Sequence, residues 1–294
     1  MGTDPKDRKK THLKLKKVYL LGSGIGKSIS PAIHKKAFRE LGLDLQYSLS
    51  DVPDSDFRTR LNEFVKDKDV VGFNVTIPYK EKILPLMARL ELDAKAVGAV
   101  NVVTFDQDRK MIGHNTDIDG VVASLSKLGL IGRTGQRAVI LGAGGASRAC
   151  VYALFSNGFD EVKILNRTKD RAKEVAHDFL LQFPHKKIEF SELTKVSFED
   201  SMLDKADLLI NTIPFLAVIP FDLNFSLAPK SMKYFDINYR RDPPILKSAR
   251  EEGLITIDGL LMIVEQAAKS FEIWTGISAP RKTMMLTARK RTHR

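Results

Sequence analysis

Residues 138–147 read Ala-Val-Ile-Leu-Gly-Ala-Gly-Gly-Ala-Ser, an apolar β-type run, a glycine loop and then a helical sequence. Few folds are open to a chain with this order. The strand delivers the loop to a sheet edge, and the missing side chains let a phosphate approach the backbone. The helix that follows offers free N–H groups and the positive end of its dipole to the anion. Gly142, Ala143, Gly144, Gly145 and Ala146 are therefore expected to cradle a pyrophosphate. Glycine-rich strand–helix turns also occur as plain structure, so the flanking pattern has to carry the assignment. Here Ala146–Ser156 reads as a helix, Glu161–Leu165 as a strand and Arg171–Phe179 as a helix. Ile188–Phe190, Leu208–Asn211 and Tyr234–Ile237 read as later strands of one sheet. Such alternation predicts an α/β protein with a Rossmann-type domain.

The end of the second strand separates the two nicotinamide cofactors. An NAD site places Asp or Glu there to accept bonds from the ribose 2′-hydroxyl. This chain has Asn166-Arg167-Thr168 at that point, with Arg171 just beyond. Guanidinium and hydroxyl donors suit a 2′-phosphate, which a carboxylate would repel. A solvated surface arginine is the plain alternative. The expectation is NADP.

At 294 residues the chain holds roughly two domains of about 150 residues each. Alternating strands and helices recur before the glycine loop: strand Val18–Leu21, a helix from Ser30-Pro31 to Glu40 with Ser30 as its cap, strand Tyr47–Leu49, helix Asp54–Val65 and strand Val70–Val75. Pro78 opens a further helix carrying Lys80, Ile83, Leu84 and Met87, and Val100–Phe105 with Lys110–Ile112 reads as a hairpin. The two α/β halves divide near residues 115–135, and residues 259–274 form an apolar-faced helix capped by Asp258.

The net charge of +11 raises nucleic acid as a partner, but its distribution argues otherwise. Residues 1–17 hold seven Lys/Arg against two Asp, residues 281–294 hold six and no acid, and the span between carries 34 of each sign. The basicity belongs to the ends, which read as solvated tails. No nucleic-acid partner is expected, and a small-molecule substrate is. Cys150 is the single cysteine, which excludes an intrachain disulfide and a multi-cysteine metal cage. The six histidines are scattered, so no metal is expected. No apolar run approaches the ~18–20 residues of a membrane span, and no secretory leader pattern is present; a cytoplasmic protein is expected.

Polar residues cluster where strands pass into helices, the edge at which open α/β sheets bind ligands. Lys80, after Phe73-Asn74-Val75-Thr76-Ile77-Pro78-Tyr79, can hold a carbonyl oxygen and exchange its proton, although a lone lysine there can equally be solvated. Asp117 can cap the helix it precedes or orient Lys80 and a substrate hydroxyl. Ser28 and Ser30 can cap a helix and also receive a carboxylate, because both uses exploit helix-start donors. Cys150 reads as a small core residue, and Trp274 as packing.

Taken in order, Ser28-Ile-Ser30-Pro31, Asn74-Val-Thr76-Ile-Pro-Tyr-Lys80, Gly98-Ala-Val-Asn101, Gly113-His-Asn115-Thr-Asp117, the glycine loop through Arg148, Asn166-Arg-Thr168, Asp258-Gly259, Met262 and Gln266 resemble the shikimate dehydrogenase family along nearly all of residues 18–280. The resemblance implies NADP-dependent interconversion of 3-dehydroshikimate and shikimate, in aromatic amino-acid biosynthesis. It implies that Ser28 and Ser30 hold the substrate carboxylate with help from Tyr239. Thr76, Lys80, Asn101, Asp117 and Gln266 would bind ring hydroxyls, with Lys80 and Asp117 as the catalytic pair, and Gly259 and Met262 would line the cofactor. It further implies a basic extension over 1–17, a substrate-binding domain over 18–115, an NADP domain over 116–258 and helices over 259–294 that return to the substrate domain, in a monomer or homodimer. The chain departs from the family at Gly24 and Lys27, where Pro and His are usual, and at Leu216, Ala217 and Leu261. No tyrosine has Lys four positions on, which argues against a short-chain dehydrogenase. A quinate/shikimate dehydrogenase of broader specificity and a non-catalytic nucleotide-sensing protein are the alternatives.

Overall fold

The computed structural model describes residues 15–203, 206–215, 217–239 and 243–292. In the first half, β1 (Lys16–Gly22), α1 (Ser30–Glu40), β2 (Leu45–Asp51), α2 (Phe57–Lys66) and β3 (Val70–Val75) wind a parallel core. Val18, Leu21, Val70 and Phe73 are almost fully buried, as strands covered on both faces require. β1 starts two residues before its apolar run because Lys17 is tied down, with Nζ 2.9 Å from Asp67 Oδ2. Residues 1–14 of the expected basic extension lie outside the described residues.

Beyond β3 come α3 (Tyr79–Lys82), β4 (Arg89–Leu90), α4 (Leu92–Val97), β5 (Val102–Phe105) and β6 (Met111–His114). The sheet order is β2-β1-β3-β5-β6-β4, with β3–β5 and β5–β6 antiparallel, so the expected hairpin forms and the sheet is mixed. The helix expected from Pro78 through Met87 is a correction. It ends after one turn at Lys82 and resumes as a 3₁₀ turn over Leu84–Leu86. Pro85 lacks the N–H that would continue an α-helix.

The second half runs α5 (Asp117–Lys127), β7 (Gln136–Leu141), α6 (Gly145–Ser156), β8 (Phe159–Asn166), α7 (Lys169–Gln182), β9 (Lys187–Glu192), α8 (Lys195–Leu203), β10 (Leu208–Asn211), β11 (Lys233–Asp236), α9 (Pro244–Glu251) and β12 (Ile255–Ile257). Its strands lie parallel in the order β12-β11-β10-β7-β8-β9. Numbered from the first, that is the doubly wound order 6-5-4-1-2-3 of a dinucleotide-binding sheet, and the glycine loop leaves β7 at the point where the order reverses.

The chain then returns. α10 (Leu260–Thr275) and α11 (Arg281–Thr292) place Val264, Ala267, Phe271, Met284 and Ala288 in one apolar cluster with Val18, Leu20, Ile33 and Phe38 of the first half. Phe271 and Met284 are fully buried, a transfer contribution of about 2 kcal/mol each, so residues 281–292 form a packed helix and not the solvated tail that their charge suggested. Arg148 of α6 donates from Nε to the Val97 carbonyl at 2.8 Å and from Nη2 to Asp178 at 2.6 Å. The returning helices and Arg148 thus each tie the two halves together.

Candidate active site

Lys80 is positioned by its neighbours. Tyr79, fully buried, stacks on Phe57 with ring centroids 4.4 Å apart and donates its hydroxyl to the Val52 carbonyl at 2.8 Å. The Lys80 carbonyl accepts the Val100 N–H at 2.8 Å. Its aliphatic stem lies along the glycine loop, where a Cβ on Gly145 would stand 3.1 Å from Lys80 Cβ. The ammonium reaches Asp117 Oδ2 at 2.6 Å.

Asp117 is the first residue of α5, and its side chain makes no cap. Asn115 takes that task, its Oδ1 accepting the Asp117 N–H at 3.0 Å. The carboxylate is left for tertiary partners: Oδ2 for Lys80, and Oδ1 for Asn101 Nδ2 at 3.0 Å. Asn101 cannot turn over, because its Oδ1 accepts the Thr116 N–H at 2.8 Å while Nδ2 also donates to Thr116 Oγ1 at 3.0 Å. Gln266 of α10 brings Oε1 to 3.5 Å from the same amide nitrogen.

Beneath these groups lies a buried polar chain that the sequence did not reveal. Tyr47 donates to Asn74 Oδ1 at 2.7 Å, and Asn74 Nδ2 donates to the Asn101 carbonyl and to Ser270 Oγ, each at 3.1 Å. Ser270 donates to the Gln266 carbonyl at 2.8 Å, so the Thr116 hydroxyl, 3.1 Å away, is the donor to Ser270. The Thr116 hydroxyl also has Asn101 Oδ1 at 3.4 Å as a second acceptor for its one proton. Burial raises the Tyr47 phenol well above its ordinary pKa, so it remains a donor. The available signals were polar residues inside apolar patterns: Asn74 in β3, and Ser270 one helical turn beyond Gln266.

Ser28 and Ser30 sit at the start of α1, with Ser28 Oγ 3.3 Å from Ser30 Oγ. Ser30 is the first helical residue and Ile29 the cap position, one residue off the expectation, and Ile29 has no side-chain oxygen with which to bond the helix start. Asp51 pins the preceding loop by accepting the Gly24 and Ile25 N–H groups at 2.8 and 3.0 Å. Thr76 adjoins that loop: its N–H donates to the Leu21 carbonyl at 2.9 Å, and its methyl fills the space a Cβ on Gly22 would need. Tyr239, half-buried, packs on the apolar cluster around Val18 and Leu20. The described hydrogen bonds of Ser28, Ser30 and Thr76 do not reach the Lys80 or Asp117 side chain.

In the second half, Gly142 has φ +107°, and a Cβ there would meet Thr212 Oγ1 at 2.4 Å. Gly144 faces open space and caps α6 with no side-chain bond, leaving the first N–H groups of that helix unclaimed by a capping side chain. Ala143 is buried beneath the loop, and Ala146 is half-buried in the first turn. At the end of β8, Asn166 Nδ2 donates to the Thr168 carbonyl at 2.8 Å and shapes the turn, while Arg167 and Thr168 are exposed. Arg171, in the first turn of α7, reaches back to Glu81 of the first half at 3.0 Å.

Two expected cofactor residues are held by packing. A Cβ on Gly259 would stand 1.9 Å from the Ile237 carbonyl oxygen, so its glycine answers to backbone approach. Met262 is buried, with its carbonyl 2.5 Å from where a Cβ on Gly120 would be, at the crossing of α5 and α10. The cap position of α10 is Gly259, one residue beyond the expectation, while Asp258 Oδ1 accepts the Leu260 N–H at 3.0 Å. Cys150 is buried in α6, and burial raises its thiol pKa far above the usual range. Among the described residues no group of three His, Cys, Asp or Glu stands ready to hold a metal, and no helix is long and apolar enough to cross a membrane.

Known proteins match this chain over most of its length. Residues 20–103 match the model of the shikimate dehydrogenase substrate binding domain, residues 125–261 that of shikimate/quinate 5-dehydrogenase, and residues 259–288 that of the shikimate 5′-dehydrogenase C-terminal domain. The chain is similar to the NADP(+) shikimate dehydrogenase of Caldicellulosiruptor saccharolyticus, 38% identical over 278 residues that span 90% of this chain and 93% of the relative. In structure it is similar to shikimate dehydrogenase from Aquifex aeolicus, with a TM-score of 0.82, 32% identity and coverage of 94% and 98% of the two chains. It is also similar to shikimate 5-dehydrogenase from Thermus thermophilus in complex with NADP(H) and shikimate, with a TM-score of 0.76, 31% identity and coverage of 94% and 99%. The chain belongs to the shikimate dehydrogenase family.

Proposed function

We propose that Lys80 and Asp117 carry the NADP-dependent, reversible reduction of 3-dehydroshikimate to shikimate in this chain, a step of aromatic amino-acid biosynthesis. The observation that carries this is the 2.6 Å pair of Lys80 Nζ and Asp117 Oδ2, with the other carboxylate oxygen held by Asn101. The chain is an oxidoreductase acting on a CH–OH group, and NADP is its cofactor. Bound NADPH supplies hydride to the ring carbonyl carbon. As that carbon is reduced, negative charge grows on the carbonyl oxygen, and the Lys80 ammonium stabilises and then protonates it. In the oxidative direction the same nitrogen receives the hydroxyl proton. Asp117 keeps the lysine head in place by Coulomb attraction, and Asn101 keeps Asp117 in place. Thr76, Asn101 and Gln266 orient the ring hydroxyls. Ser28 and Ser30, with Tyr239, receive the carboxylate beside the start of α1.

The residues suit the cofactor. The open face at Gly144 and the uncapped start of α6 receive pyrophosphate through Gly142, Ala143, Gly144, Gly145 and Ala146. Asn166 shapes the turn that presents Arg167, Thr168 and Arg171, and no carboxylate side chain belongs to residues 166–168, where a 2′-phosphate would lie. Gly259, against the Ile237 carbonyl, and Met262, at the crossing of α10 with α5, back this pocket. Residues 18–115 form the substrate half, residues 116–258 the NADP half, and residues 259–294 return to the first. Initial rates followed at the reduced-nicotinamide absorbance band, with shikimate or quinate and NADP⁺ or NAD⁺ in all four pairings, test the assignment. Shikimate with NADP⁺ is expected to be fastest; a preference for quinate or for NAD⁺ overturns the corresponding half of it.

A further inference from the structure

Glu81 follows the catalytic lysine on α3, yet its carboxylate points to the other half of the molecule. Both of its oxygens accept from Arg171 Nη2, at 3.1 and 3.0 Å, across 90 residues of sequence. The other terminal nitrogen, Nη1, lies 3.3 Å from Glu174 Oε2, one helical turn along α7. The two terminal nitrogens of this guanidinium are therefore engaged by carboxylates. Glu174 travels with Arg171 on the same helix, whereas Glu81 comes from the substrate half.

We propose that Glu81 is a specificity-determining residue that competes with the cofactor 2′-phosphate for Arg171 and so weakens binding of the phosphorylated dinucleotide. This rests on the reading of Arg171 as a 2′-phosphate donor. A phosphate dianion arriving at Nη2 meets a carboxylate on the same nitrogen, and the two anions repel. It must either displace Glu81 or share the donor at longer distance. NAD⁺ has only a hydroxyl at that position and does not contest the ion pair. Glu81 therefore acts on one cofactor and not on the other, although it belongs to the half that binds the substrate. The pair is solvent-exposed, with side-chain exposures of 48% for Arg171 and 29% for Glu81, so the effect is modest and screened by salt.

The experiment is calorimetric titration of the full chain, without substrate, with NADP⁺ and separately with NAD⁺. The proteins are the wild type, Glu81→Gln and Arg171→Gln, each checked for folding by circular dichroism. Glu81→Gln is expected to bind NADP⁺ about two- to five-fold more tightly at low salt, with NAD⁺ affinity unchanged and the gain shrinking as salt rises. Arg171→Gln is expected to weaken NADP⁺ alone. If Arg171→Gln weakens NADP⁺ while Glu81→Gln leaves it unchanged or weakens it too, competition is overturned and the Arg171 assignment survives. If Arg171→Gln leaves the NADP⁺-to-NAD⁺ ratio unchanged, the assignment of Arg171 itself fails and the proposal falls with it.

Discussion

Lys80 and Glu81 are adjacent on one turn of α3, and each forms an ion pair with the second half of the molecule, but the two pairs are built differently. Lys80 meets Asp117 with side-chain exposures of 18% and 4%, and the carboxylate is further held by Asn101. Glu81 meets Arg171 in solvent, with no third group on the glutamate among the described hydrogen bonds. A buried pair with its remaining lone pairs satisfied has one geometry, and losing either partner strands a charge. An exposed pair exchanges with water and ions, and its net worth is small. The first arrangement suits proton transfer at a fixed distance, and the second suits a contact meant to be surrendered.

The comparison breaks most visibly at the buried pair. Lys80→Ala is expected to lower kcat by about 10³-fold, on the order of 4 kcal/mol of transition-state stabilisation, while circular dichroism and NADP⁺ affinity stay near wild type. Steady-state kinetics on the folded variant check this, and retained turnover removes Lys80 from its role. Asp117→Asn preserves shape but removes the charge that holds the lysine head. Its kcat is expected to fall about 10²-fold, with a smaller change in KM for shikimate.

A fifth ionisable group sharpens the contrast because it is buried without a hydrogen-bond partner among the described residues. His34 is fully buried and stacked on Tyr47 at 4.4 Å, and neither ring nitrogen is hydrogen-bonded among the described residues. Burial pushes its pKa down from 6.5 to about 3. As pH falls below 6.5 the unfolded chain takes up a proton that the folded chain refuses, so stability is lost progressively down to about pH 3. The loss at about pH 4.5 is on the order of 3 kcal/mol. Urea unfolding at a series of pH values is expected to show this slope in the wild type, and a shallower one in His34→Phe. Parallel slopes would remove His34 as its source. The smallest effect belongs to the exposed pair: Arg171→Gln is expected to change unfolding free energy by no more than about 0.5 kcal/mol. A larger loss would mean that the contact is structural and not exchangeable.

Much of the second half was legible because its strands are short, apolar and bounded by turn residues. β10 was read at its true ends, and β7, β8, β9 and β11 within about two residues. The elements not foreseen, α4 and α8 among them, are mostly short. β12 has three residues, β4 has two, and α9 buries only Leu246 and Ala249. In the candidate site, Lys80, Asp117, Asn101 and Gln266 were singled out and lie together through direct contacts. Asn74 and Ser270 are 196 residues apart yet 3.1 Å apart in space, and no local pattern announces such a partner.

Periodicity, the glycine loop and the residues closing β8 were sufficient to determine a doubly wound nucleotide half, an α/β partner half and the residue types at their junction, because those features depend on neighbours in the chain. Tertiary structure alone decided which atom serves which: that Asp117 faces Lys80 and leaves capping to Asn115, that Gly259 answers to the Ile237 carbonyl just beyond β11, and that Glu81 claims Arg171. Hydrogen bonds and ion pairs are settled by distances of a few tenths of an ångström and by donor direction. Those quantities exist only once segments remote in sequence have packed against each other.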